Sequence, residues 1–163
     1  MRVLGIDPGT VVLGYGVVEE KAGSRILKLV TTGVITTSAE LTFPERLHHI
    51  SREVTQLIKE QRPDSMAVEE PFLAKNAKMA LQMGKVLGVV IVAGVNAGLE
   101  ITGYSPLEMK QAIVGYGRAE KKQVQEMVKV ILHLNEIPRL DDAADALGIA
   151  ICHLHTVQSS RGT

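Results

Sequence analysis

Four acids in this chain are of a type and placement that could do chemistry. Asp7 closes the apolar run VLGID, just before Pro8-Gly9 and a second apolar run over residues 13–18. Glu69 closes another short apolar run in SMAVEEPF. Asp142 and Asp145 lie three apart in DDAADALGIAICHLH, a spacing that puts both on one face of a helix. Each acid also has a purely structural reading. Asp7 suits an Asx-type turn, in which its side chain bonds nearby amides. Glu69 suits the first solvent-facing residue past a strand. Asp141 suits a helix N-cap, and acids in a first turn are favoured by the helix dipole. That last reading fits Asp145 poorly, because it sits a turn further in and is followed by Ala146, Leu147 and Ile149. An acid closing an apolar strand is costly to bury unless it is bonded or faces a cation. Carboxylates that converge repel one another unless divalent cations lie between them. An all-oxygen donor set with no requirement for Cys or His points to magnesium or manganese. A pair of such ions suits in-line hydrolysis of a phosphodiester, one activating the attacking water and the other stabilising the leaving oxygen.

The elements that must position these acids can be read from pattern. Residues 3–7 and 13–18 form a β-hairpin around Pro8-Gly9, and residues 26–37 alternate as a third strand. The spacing of Leu47, Ile50, Val54, Leu57 and Ile58 predicts a helix over residues 43–60, ended by Pro63 and Asp64. A buried strand follows at 66–69, then a long helix over 76–97 stopped at Gly98, and a strand over 99–104. Ser105 and Pro106 are a helix start, continued over 107–114. Helices are expected over 121–134 and, after Pro138, over 141–156. Three meandering strands followed by β-α-β units imply an α/β fold: a mixed five-stranded sheet with helices on both faces, laid out as in ribonuclease H-like proteins. In such a sheet the first and fourth strands are neighbours, which brings Asp7 beside Glu69. A single domain over 1–157 is expected, with a frayed polar tail over 158–163.

With 163 residues the chain can bury a sizeable core without staples. Cys152 is the single cysteine, so no internal disulfide forms, which suits a reducing, cytoplasmic setting. No leader segment is read at the start. The longest uncharged apolar run, over 86–95, falls short of the roughly 20 residues that span a bilayer, so no membrane partner is expected. Basic and acidic side chains balance at 18 each, which counts in part against a nucleic-acid partner. Positive charge is nonetheless local. Lys75, Lys78, Gln82 and Lys85 share a quarter of a helix circumference, and Arg118, Lys121 and Lys122, with Lys129 beyond, follow the flexible GYG at 115–117. Solvated surface is the ordinary fate of such lysines, and core packing that of Phe72. Around those lysines the long helix is apolar on most sides (Met79, Leu81, Val86, Val89, Val90, Val92), as expected of a helix deeply buried or shared with a second subunit. His48-His49 and Cys152, His153 and His155 lack the spacing of a zinc site.

The motifs GIDPGT, AVEEPFLAKNA, EMKQAIVGYGRAEKKQVQ and DDAADALGIAICH occur in one order along nearly the whole chain. Together they resemble the RuvC family of Holliday-junction resolvases. The resemblance implies a homodimeric endonuclease of ribonuclease H-like fold, dependent on magnesium or manganese, with two ions per site. Such an enzyme nicks two strands of a four-way DNA junction symmetrically and works beside the RuvA–RuvB branch-migration complex. By position, Asp7, Glu69, Asp142 and Asp145 match the family's metal-binding catalytic acids. Lys110 and Lys121 match basic residues near the scissile strand, and Phe72 an aromatic that stacks on an unpaired base. The chain departs from the family where Glu70 and Pro71 follow Glu69, a place where glutamine is common. Because a strand alternates its faces, Glu69 and Glu70 cannot both enter one site, and the resemblance selects Glu69. Other readings are a relative acting on ribosomal RNA, a non-catalytic junction-binding module, and an actin-like ATPase, whose two-domain body needs a longer chain.

Overall fold

A computed structural model of the chain describes residues 1–70 and 76–161. The elements are β1 (Arg2–Asp7), β2 (Val12–Glu20), β3 (Leu27–Thr36), α1 (Phe43–Gln61), β4 (Ser65–Glu69), α2 (Ala77–Asn96), β5 (Glu100–Tyr104), α3 (Pro106–Val114), α4 (Lys121–Ile131) and α5 (Asp141–Arg161). The hairpin connections keep β1, β2 and β3 antiparallel. The helical crossovers α1 and α2 return the chain to the same end of the sheet, so β4 and β5 run parallel to β1. The strand order is β3-β2-β1-β4-β5, the mixed sheet expected from sequence. Each face has its own apolar core. Leu4, Ile6, Leu13 and Met66 meet Ile50, Val54, Val86 and Val90 of α1 and α2. Val3, Val18 and Ala67 meet Leu147, Ile151 and Leu154 of α5, with α3 and α4 outside them.

The predicted helix starts hold. Thr42 and Ser105 each form a capping box with the glutamate three residues on, Glu45 and Glu108. Two ends differ from expectation. The helix predicted over 121–134 stops at Ile131, because Leu132 caps it and His133 takes a left-handed backbone at φ 53°. The last helix continues past 156 to Arg161. Its polar end is anchored: Gln158 Nε2 donates to Glu20 Oε1 at 2.6 Å, and the Ser159 and Ser160 hydroxyls donate back to carbonyls four residues earlier.

α5 crosses the sheet unusually closely, because the strands beneath it carry glycine. A Cβ at Gly5 would lie 2.8 Å from Ala150 N and collide with Ala146 O. At Gly14 it would collide with Asp142 O and come within 3.0 Å of Ala143 N. Gly14 also pairs with Asp7 in the β1–β2 ladder. The missing side chain therefore seats the first turn of α5 directly above the end of β1. Gly14→Ala is expected to lift that turn and to cost about 1–3 kcal/mol, read by urea denaturation. An unchanged midpoint would contradict the close seating.

α2 is, by length and composition alone, apolar enough to cross a bilayer. It lies instead on the sheet: Val86, Val90, Ala93 and Gly94 are buried, while Lys78 and Lys85 face outward. Leu87 and Val89 pack at the edge of the core, and a further set of apolar side chains is exposed, Leu81 at 63%, Val92 at 57% and Val95 at 58%. Gly84 and Gly88 on the same face have open space above them.

Candidate active site

The apolar runs that end in Asp7 and Glu69 are adjacent parallel strands, so both acids emerge at the same end of the sheet. Parallel strands buried on both faces need near-continuous apolar sequence, and the first polar residue appears where the strand leaves the core. Gly14 then brings the start of α5, with Asp142 and Asp145, over that end. Asp7, Glu69, Asp142 and Asp145 are all half-buried. Their mutual effect is strong. Burial pushes the Asp7 carboxyl up to about 9, helped by a hydrogen bond to Glu69 and by the negative charges of Glu69, Asp145 and Asp142. Burial likewise raises Glu69, opposed by its bond to Asp7 and by the charges of Lys121 and Lys110. Without a cation, the pair therefore shares a proton near neutral pH. Burial raises Asp145 as well, against the pull of Lys121.

Lys121, at the first position of α4, is the cation nearest these acids. Its Nζ lies 3.2 Å from Asp145 Oδ2 and 3.3 Å from Asp141 Oδ2. Burial works to lower the Lys121 ammonium, but Asp145 and Asp141 outweigh it and raise it. Asp141 does not cap α5 as the sequence suggested. It is the first helical residue, exposed, and its other oxygen accepts from Gln125 Nε2 at 3.0 Å. Its carboxylate is spent on α4, whose first turn packs alongside. That contact joins elements twenty residues apart, and no local pattern announces it. Glu70 points away from the site, as strand alternation requires, with its carboxylate against Gly103.

The basic residues divide by distance from the acids. Lys110 on α3 is half-buried and, with Lys121, acts on the charge of Glu69. Arg118, on the stretch that leads into α4, and Lys122, in its first turn, are exposed. Lys78 and Lys85 are exposed on α2, and Lys85 Nζ stands 5.9 Å above the Phe43 ring. Phe72 and Lys75 lie outside the described residues. The histidines form no cluster among the described residues. His153 is buried in the core, and His155 Nδ1 pairs with the Ala112 carbonyl at 3.1 Å.

Among the described residues, no three His, Cys, Asp or Glu side chains converge as a closed ligand set. Asp145 is held in an ion pair by Lys121. The donor set nonetheless fits hard divalent cations. All four groups are carboxylates, and the elevated Asp7 and Asp145 register a place where positive charge is favoured.

The family model described as "Crossover junction endodeoxyribonuclease RuvC" matches residues 3–153. The crossover junction endodeoxyribonuclease RuvC of Syntrophomonas wolfei is 50% identical over 160 residues, covering 98% of this chain and 92% of that protein. Its counterpart from Geobacter sulfurreducens is 51% identical over 156 residues, covering 96% and 93%. Among solved structures, Thermus thermophilus RuvC in complex with a Holliday junction substrate superposes with a TM-score of 0.93 at 39% identity, covering 98% of this chain and 96% of that one. The yeast mitochondrial resolvase Ydc2, at 14% identity and a TM-score of 0.74 over 98% of this chain and 80% of that one, shares the fold.

Proposed function

The chain belongs to the RuvC family of crossover junction endodeoxyribonucleases, and from that premise we propose that Asp7, Glu69, Asp142 and Asp145 are the catalytic acids with which it cuts Holliday junctions. The enzyme is a DNA-hydrolysing nuclease of recombination and repair. The observation that carries the site reading is that those acids lie at one end of the sheet, where burial first, and then Glu69, Asp145 and Asp142, push Asp7 up to about 9. Two magnesium or manganese ions bound by these carboxylates would supply an acidified water and charge stabilisation at the scissile phosphate. Loading them requires Asp7 and Glu69 to give up the proton they share. Lys121 must also release Asp145, which leaves its ammonium, still tethered by Asp141, free to face a phosphate oxygen. Lys110 adds a second positive charge that acts on Glu69. Phe72, Lys75, Lys78, Lys85, Arg118 and Lys122 serve junction binding: the cations meet backbone phosphates, and Phe72 stacks on an unpaired base at the crossover.

Two equivalent strands must be cut, which suits two active sites related by a two-fold axis. The exposed α2 face of Leu81, Gly84, Gly88, Val92 and Val95 is the surface for the second subunit. Val92→Asp is expected to leave the fold intact and to yield a monomer by light scattering that nicks singly. Val90→Asp is expected not to fold, because Val90 faces this chain's own sheet. A dimeric Val92→Asp protein would move the interface elsewhere. The enzyme works in the cytoplasm beside the RuvA–RuvB complex.

The test is cleavage of end-labelled four-way and duplex DNA, with and without magnesium. Paired nicks in the junction alone, and only with the metal, are expected. Junction binding without cleavage, or cleavage of structured RNA in preference, would overturn the reading.

A further inference from the structure

Only two side-chain hydrogen bonds among the described residues are fully buried, and both end on one ring. His153 Nε2 pairs with Ser65 Oγ at 3.1 Å, and His153 Nδ1 with Tyr104 OH at 3.0 Å. The Tyr104 ring meets the imidazole edge-on, with centroids 5.8 Å apart. Burial holds the imidazole below its usual range, so it is neutral. Each hydroxyl can donate or accept, so either tautomer completes both bonds. The three groups come from three elements: Ser65 opens β4, Tyr104 closes β5, and His153 lies on α5.

Two of those elements, β4 and α5, carry three of the four acids. Glu69 is at the other end of β4 from Ser65, and Asp145 is eight residues before His153, about 12 Å along the helix axis. The other polar contacts of α5 to neighbouring elements run to α3, α4 and the end of β2 (His155 to the Ala112 carbonyl, Asp141 and Asp145 to Lys121, Gln158 to Glu20). Over the centre of the sheet its seat is apolar, with Ala146 and Ala150 on Gly5 and Leu147 over Gly16. Apolar contact of that kind is strong but not directional, and it resists sliding or rotation of a helix weakly. A buried hydroxyl left without a partner is penalised, so a displaced α5 would orphan groups on both strands. We propose that His153 is a positioning residue that fixes the register of α5 on β4 and β5, and thereby the placement of Asp142 and Asp145 against Asp7 and Glu69. The inference rests on the four-acid reading of the site.

The test compares His153→Phe, Tyr104→Phe and Ser65→Ala with the unaltered enzyme, using three readouts below the melting temperature. These are manganese binding to the protein alone by calorimetry, junction affinity in EDTA, and single-turnover cleavage. For His153→Phe the manganese Kd is expected to rise about fivefold or more and the rate to fall about 10- to 100-fold, as small misplacements of reacting groups cost rate steeply. Junction affinity should stay within about twofold, because the phosphate contacts are elsewhere. The single-hydroxyl variants should show smaller shifts in the same direction. The triple variant Ser65→Ala/His153→Phe/Tyr104→Phe, with no orphaned polar group, should regain thermal stability but not manganese affinity. A folded His153→Phe protein with unaltered manganese binding and rate would overturn the inference, as would a triple variant that regains both. Should His153→Phe not fold, Tyr104→Phe decides in the same way, since it deletes a single oxygen. The control is Asp7→Asn: if it still cleaves, the four-acid reading fails, whereas an inactive Asp7→Asn beside a normal His153→Phe sinks the register proposal alone.

Discussion

Asp7→Asn is expected to abolish cleavage, by more than about a thousandfold, while making the metal-free protein more stable. Both effects have one cause. Asp7 is half-buried beside three other acids, and its carboxyl is pushed to about 9, first by burial and then by Glu69, Asp145 and Asp142. A carboxyl raised in the folded state favours folding only while it stays protonated. Its contribution is intact below the ordinary value near 4 and is lost as pH rises through about 9. The asparagine amide stays neutral and can donate to Glu69 in place of the shared proton. At pH 8, without divalent ions, the variant should be more stable by roughly 1–3 kcal/mol, about 3–10 °C in Tm. Its Tm should also fall less between pH 5 and pH 9. Junction binding should persist or tighten, because a negative charge beside the DNA has gone. Differential scanning calorimetry across pH, with cleavage and binding assays, reads all three. Normal turnover would remove Asp7 from the site, and a lower metal-free Tm at pH 8 would mean that the acids do not strain the fold.

Lys121→Ala and Lys85→Ala are expected to fail in different ways. Lys121 touches Asp145 itself and acts on Glu69, and in the proposed site it stands at the reacting phosphate. A charge placed there stabilises the extra negative charge of the transition state more than the ground state. Its loss should lower the single-turnover rate at saturating junction about 100-fold. Lys85 stands two turns along α2 from Lys78, over the Phe43 ring, and in the proposed function it meets a backbone phosphate of the bound arms. Its loss should weaken binding and reduce the salt dependence by about one unit of slope, with the saturated rate unchanged. If both variants change affinity alone, Lys121 is an anchor rather than part of the reacting centre. If neither changes anything, the DNA lies on another face.

The contrast between these two lysines marks how far sequence could reach. Both read as solvent-facing cations on helical turns, and the local pattern around each is similar. What separates them is that α4 begins beside α5, so that Lys121 falls between Asp141 and Asp145. Asp141 departs from the cap its position suggests for the same reason. A first-turn acid is ordinarily explained by its own helix, and this one is explained by a lysine and a glutamine on another.

By itself, the sequence determined the sheet, its order, and the end of it at which the acids emerge. Apolar runs of strand length, helical stripes and turn residues are local signals, and the connections between them leave few ways to assemble one mixed sheet. Asp7 and Glu69 were legible because each ends such a run, and Asp142 and Asp145 because helical spacing puts them on one face. Only the tertiary structure decided which surfaces come within bonding distance. Gly5 and Gly14 read as ordinary strand glycines until α5 is seen lying on them. The apolar face of α2 divides between this chain's core, at Val90, and open surface, at Val92, by a rotation that composition does not reveal. His153 read as one of several unrelated histidines, because its partners, Ser65 and Tyr104, are 88 and 49 residues away. A hydrogen bond or an ion pair depends on a few ångströms between groups remote in the chain, and that distance exists only once the layers have packed.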